Sequence, residues 1–144
     1  MARPPQTFAN HVRYVPLFHF VCLGLLMVYA IHAARRSFQH PDPDSIAQLA
    51  LAVALLLLAW YARSFALTVQ DRVIRLEMRL RMQQLAPELV ARFGQLSPAQ
   101  LAALRFAGDA ELPDLARQVL DGKLGGPAAI KKAVRDWQGD YLRV

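Results

Sequence analysis

The sequence predicts an all-α membrane protein: a two-helix transmembrane hairpin, with the second helix extended into the cytosol as a stalk and followed by a small three-helix C-terminal module. Three observations predict it. Residues 15–34 and 46–62 are two long stretches without Lys, Arg, Asp or Glu. No Gly or Pro interrupts the chain between Ser45 and Ala86. Beyond Pro87, short apolar runs are opened by Pro98, Pro113 and Pro127, the residue type favoured in the first turn of a helix.

Residues 1–14 form an N-terminal arm carrying Arg3 and Arg13. The first span is placed at 15–36, where about 20 uncharged residues are enough to cross roughly 30 Å of hydrocarbon. A secretory signal would have a shorter apolar region, and a second span close behind favours an anchor. His40, Pro41, Asp42 and Pro43 break this helix within an external loop, 37–44, after which Asp44 or Ser45 is expected to cap the next one.

The second span is placed at 45–67, with Trp60 and Tyr61 as interface anchors and Arg63 snorkelling toward the headgroups. Small residues are candidate close-approach points: Ala47, Ala50 and Ala54, then Ala59, Ala62 and Ala66, and Gly24 in the first span. Orientation follows from the flanking cations. Arg3 and Arg13 precede the first span and Arg63, Arg72, Arg75, Arg79 and Arg81 follow the second, against Arg35 and Arg36 in the loop. Both termini are therefore expected in the cytoplasm.

The stalk, 68–86, carries two opposed apolar stripes. Val69, Val73, Leu76 and Leu80 recur at a 4,3,4 spacing, while Leu67, Ile74, Met78, Met82 and Leu85 line nearly the opposite side. Two stripes call for two partners, and for either stripe the partner is the chain's own C-terminal helices or a mate helix from another copy or another protein, with at least one oligomeric contact expected. Asp71 with Arg75 and Glu77 with Arg81 are spaced as i,i+4 ion pairs. Arg63, Arg72, Arg75 and Arg79 are candidate lipid-headgroup contacts.

In the module, 87–144, helices are expected at about 98–107, 113–121 and 127–138 by their caps. Ser97, Pro98 and Gln100 spell a capping box with a first-turn proline. Gly108 and Gly122 are stops, and Ile130, Ala133, Val134 and Trp137 cluster on one face of the last helix. Three short helices make a marginal core, so the module is expected to lean on the stalk or on a neighbour.

With 55 % hydrophobic and 19 % charged residues, the chain is too apolar for a disordered tail protein. The lone Cys22 excludes an internal disulfide or a thiolate zinc cluster. No nucleotide-binding, zinc-hydrolase or nucleophile-elbow signature occurs, so neither an enzyme nor a cofactor is expected. His19 and His32 are the polar intramembrane candidates, but they lie 13 positions apart and off a common face. A haem or quinone site is a less favoured reading, and bis-histidine haem ligation would need a second chain because the second span has no histidine. The net charge of +6 also raises nucleic acid. Residues 115–137 loosely resemble a helix-turn-helix, yet Pro127, Ala128 and Ala129 are poor base readers where a recognition helix begins, so DNA binding is not favoured.

Four segments carry a family resemblance: NHVRYVPLFHF at 10–20, ARSFALTVQDRVIRLE at 62–77, LSPAQLAALRFAGDAELPDLA at 96–116 and AIKKAVRDWQGDYLRV at 129–144. In this order they resemble a family of small, uncharacterised bacterial two-span membrane proteins known only as a domain of unknown function. The resemblance implies the bacterial cytoplasmic membrane and supplies no substrate, cofactor or catalytic residue. The expectation is therefore a membrane-anchored structural or adaptor protein, in contact with the bilayer and with a second copy or another protein. The rival is a small oligomeric transport or channel component with His19 and His32 along its path.

Overall fold

The structure, a computed structural model, describes residues 6–11 and 14–141. Arg3 and Arg13, counted above in the N-terminal arm, lie outside the described residues. The elements are a π-helical turn Leu17–Cys22 leading into α1 (Leu23–Gln39), α2 (Pro43–Leu85), a 3-10 helix Pro87–Gln95, α3 (Pro98–Leu104), α4 (Leu112–Leu120) and α5 (Pro127–Ala133). Among the described residues there is no strand, and the isolated antiparallel bridge between Ala107 and Trp137 is the nearest thing to one. The chain divides into two compact units: Arg13–Leu67, and Met1–Val12 together with Thr68–Val144.

In the unit Arg13–Leu67 the first helical stretch, Leu17–Gln39, runs three residues beyond the expected span, and the connection shrinks to 40–42. Leu17–Gln39 and Pro43–Leu85 are both long and apolar enough to cross a membrane. The cap of α2 is Asp42 rather than Asp44 or Ser45. Its Oδ1 accepts the Ser45 N–H at 2.7 Å, while the Ser45 hydroxyl accepts the Asp42 N–H at 3.1 Å. This reciprocal pair does for an Asp-x-x-Ser sequence what a capping box does, and it starts the helix at Pro43, a residue suited to the first turn.

Large apolar side chains of this unit face outward: Leu17, Phe20, Leu25, Val28, Leu58 and Trp60 are all exposed. The buried residues are small, namely Ala33, Ala52 and Ser45. The expected small-residue positions are not the buried ones. Ala47, Ala50, Ala54 and Ala62 are exposed, Ala59 and Ala66 half-buried, and a Cβ added at Gly24 would meet nothing within 4 Å.

The other unit has the hydrophobic core. Ile74, Met78 and Met82 of α2 are buried in one cluster with Leu89 and Phe93 of the 3-10 helix and Leu101 of α3. The 3-10 helix is an element the sequence did not announce. It is tied to α4 by Arg92, whose Nη1 meets Asp121 Oδ1 at 3.0 Å and whose Nη2 donates to Leu120 O at 2.7 Å. The capping box of α3 forms as expected: Ser97 Oγ accepts the Gln100 N–H and Gln100 Oε1 accepts the Ser97 N–H. At the end of α4, Gly122 takes a left-handed φ of 75°, with Lys123 N–H donating to Gln118 O and Gly122 N–H to Val119 O. That is the Schellman arrangement, for which a glycine is favoured.

Two helices are shorter than expected. α3 ends at Leu104 rather than 107, and α5 ends at Ala133 rather than 138. Their would-be last turns are used to pair with one another: Gly108 N–H donates to Asp136 O at 2.9 Å and Gln138 N–H to Phe106 O at 2.8 Å. The Glu111 carboxylate takes the N–H groups of Arg135 and Asp136, which a continuing helix would have bonded internally. Tertiary hydrogen bonds thus replace the final helical turns.

Candidate functional site

Position along α2 decides what its two stripes do. Within the unit that contains residues 68–144, Ile74, Met78 and Met82 are at most 4 % exposed and Leu85 is half-buried against the core. One expected member of this stripe falls outside it: Leu67 is 36 % exposed. Val69, Val73, Leu76 and Leu80 are 60, 48, 60 and 52 % exposed. At about 100° per residue the two sets point roughly 160° apart, so the module that covers one cannot cover the other.

Arg81 fixes which face is turned inward. Its Nη2 contacts Asp109 Oδ1 at 2.6 Å and donates to Ala107 O at 2.9 Å, and its Nη1 donates to Arg105 O at 3.3 Å. Of these acceptors, the Arg105 carbonyl is at the C-cap of α3, where helix carbonyls lack internal partners, and the Ala107 carbonyl lies past the helix, at the bridge to Trp137. The expected pair of Glu77 with Arg81 is therefore not formed, and no ion pair joins Asp71 to Arg75 among the described residues. Arg72, Arg75, Glu77 and Arg79 are exposed and Arg63 is half-buried. Beside Glu77, Leu80 and Arg81, an open cleft of about 420 Å³ is closed on its far side by Arg105, Gln138 and Asp140.

The same unit includes part of the N-terminal arm. Gln6 exchanges two hydrogen bonds with the Asp140 backbone, at 3.0 and 3.1 Å. His11 lies 6.0 Å from the rings of both Phe106 and Trp137, which are themselves 4.8 Å apart. With its Nδ1–H given to Phe8 O at 2.7 Å, His11 Nε2 is left to accept from Lys131 Nζ at 3.1 Å. Lys131 is thus not a purely solvated member of the basic face, although Lys132 and Arg135 are exposed as expected. No local pattern signalled this docking, because the residues that meet are more than 90 positions apart.

The histidine candidates are not brought together. His19 lies in the π-helical turn, where its Nδ1 accepts the Val15 N–H at 3.1 Å, and its ring packs edge-on against Phe18 and Tyr14. His32 is exposed on α1 beside Arg35 and Arg36. Among the described residues no group of three or more His, Cys, Asp or Glu is placed to hold a metal ion, and Cys22 is exposed.

A family model, described as a family of unknown function (DUF6526), matches residues 1–144. The chain belongs to the DUF6526 family. The match spans both compact units. Neither the curated proteins nor the solved structures contain a match to this chain.

Proposed function

We propose that this chain is a membrane-anchored structural or adaptor protein: a transmembrane hairpin holds a cytosolic helical module, and the exposed stripe of α2 docks a partner helix. The observation that carries the reading is the contrast on one helix between Met78 and Met82, at most 1 % exposed, and Leu76 and Leu80, more than half exposed. An apolar stripe that its own fold leaves in water favours burial against another chain, at about 25 cal/mol per Å² removed from solvent.

Membrane insertion is supported by the outward-facing Leu, Phe and Val side chains of Leu17–Gln39 and the first half of α2. Lipid is the solvent that suits helices apolar on all sides. Cytoplasmic termini are supported by the arginine count and by the joining of residues 6–11 and 68–141 in one compact unit. The family resemblance supports the cytoplasmic membrane of a bacterium.

Carbonate extraction of membranes, combined with reporter fusions at the C-terminus, tests this reading. A membrane-integral chain with an intracellular reporter is expected. A chain that leaves the membrane at high pH, or a reporter active outside the cell, overturns it.

A further inference from the structure

The partner of the exposed stripe is identified by the charges that flank it. Val69, Val73, Leu76 and Leu80 fall on successive d, a, d and a positions of a heptad, with Val at a and Leu at d around Val73 and Leu76, a combination that suits two strands. In that frame Arg72 and Arg79 occupy g, and Gln70, Glu77 and Gln84 occupy e. In a parallel pair each g residue faces the e residue five positions later on the mate, which sets Arg72 against Glu77 and Arg79 against Gln84. An antiparallel pair would instead set g against g, placing arginine beside arginine.

The fold leaves these charges available. Arg81, the i+4 partner that Glu77 would otherwise have, is held by Asp109 and by two carbonyls of the module. Arg72 and Glu77 are both exposed, and five residues apart on one helix they do not face each other. Counting back in the sequence, the same heptad phase meets Ala66, Ala62 and Ala59, small residues of the kind that allow close helix approach in lipid.

We propose that the exposed α2 stripe is the seam of a parallel, in-register homodimer, closed by two symmetric ion pairs between Arg72 of one copy and Glu77 of the other. The inference rests on the docking reading above and names its occupant as a second copy of this chain. Anchoring both copies in one bilayer holds their helices in the same direction, and at the local concentrations of a membrane a short seam suffices.

The test uses the full chain in native membranes and in mild detergent, with Cys22→Ser removing the lone thiol. Single Val73→Cys and Leu76→Cys variants are expected to form disulfide-linked dimers on mild oxidation, whereas Asp71→Cys and Arg75→Cys, off the seam, are not. Arg72→Glu and Glu77→Arg are each expected to weaken dimerisation about tenfold, and the double swap to restore it. All four positions involved in the swap and the controls are exposed, so the monomer fold is preserved. Failure of the double swap to restore the dimer, or linkage of Val69→Cys to Leu80→Cys in mixed samples, overturns the parallel pairing. A monomer whose Val73→Cys thiol is shielded from maleimide in membranes overturns the second copy while leaving the docking reading in place. A monomer whose thiol reacts freely overturns both.

Discussion

Arg81 and Asp109 are joined at 2.6 Å, and the same guanidinium donates to Ala107 O, so one side chain of α2 both pairs with a carboxylate and holds the backbone of the segment that follows α3. The two partners are unequal in burial, with side chains 23 % and 62 % exposed. Most of the value of the contact therefore lies in the carbonyl bonds rather than in the solvent-screened ion pair. Arg81→Ala is expected to destabilise the module by about 2 kcal/mol, and Asp109→Ala by less than about 1 kcal/mol. Urea unfolding followed in one detergent measures both, and equal losses would contradict the assignment.

The two faces of α2 predict opposite outcomes for similar chemistry. Met78→Ala removes a side chain that is 1 % exposed within the core and is expected to cost about 2–5 kcal/mol. Leu76→Gln changes a residue that is 60 % exposed, and is expected to leave the stability of the single chain within about 0.5 kcal/mol of the original. Thermal unfolding at high dilution in detergent separates the two. A large loss in Leu76→Gln would mean that this face already has a partner within the chain.

How much of this was legible in the sequence depends on the range of the interaction. Ser97, Pro98 and Gln100 lie within one turn, so the capping box and the start of α3 could be read directly, and the same holds for the glycine stop after α4. The opposed stripes were legible because helical periodicity reports faces, and Ile74, Met78 and Met82 are indeed the buried set. The early ends of α3 and α5 were not, because Glu111 and the pairing of Phe106 and Gly108 with Gln138 and Asp136 act across more than 20 residues. Arg81 was misread for the same reason: a helical neighbour at Glu77 is visible in sequence, and Asp109 across the fold is not. The docking of Gln6 and His11 had no periodic signal to betray it.

Gly108 is favoured by proximity rather than by backbone conformation. A Cβ there would collide with Asp136 Oδ2 and stand 2.9 Å from its Cγ and 3.2 Å from its Cβ, while the Gly108 N–H holds the Asp136 carbonyl. Gly108→Ala is expected to destabilise the module by about 1–3 kcal/mol, as overpacking does. In an Asp136→Ala background the penalty is expected to shrink but not vanish, since the Cβ at 136 remains in tight contact. A double-mutant cycle by chemical unfolding gives the coupling, and strict additivity would refute the proximity argument.

The start of α2 carries a pH signature. The Ser45 N–H bonded to Asp42, with Arg36 contributing charge, holds the Asp42 carboxyl below the usual carboxylate range, against a smaller opposing effect of desolvation. Because the folded-state value is lowered, the stabilisation of this cap is present above the unfolded carboxylate range and disappears as pH falls through the lowered value. The Ser45 amide resonance of detergent-solubilised protein is expected to titrate with a midpoint below that of a free aspartate. Asp42→Asn is expected to abolish the titration while keeping the helix start, since asparagine also caps. A midpoint at or above the free value would show that the bond to Ser45 does not favour the charged form.

The N-terminal arm closes the module as a strap, and its removal should be visible from the aromatic core. Phe106 is 1 % exposed, Trp137 is half-buried, and His11 covers both rings while Gln6 holds the Asp140 backbone from either side. Deleting residues 1–11 would uncover the indole and leave the Asp140 N–H without its side-chain acceptor. In a Trp60→Phe background, which leaves Trp137 as the one fluorophore of its type, the deletion is expected to shift emission to longer wavelength and to destabilise the module by about 1–2 kcal/mol. His11→Ala is expected to give the red shift with a smaller loss, because the Gln6 bonds remain. Unchanged emission in both variants would mean that the strap does not shield Trp137 in solution, and the arm would then be an independent segment rather than part of the module.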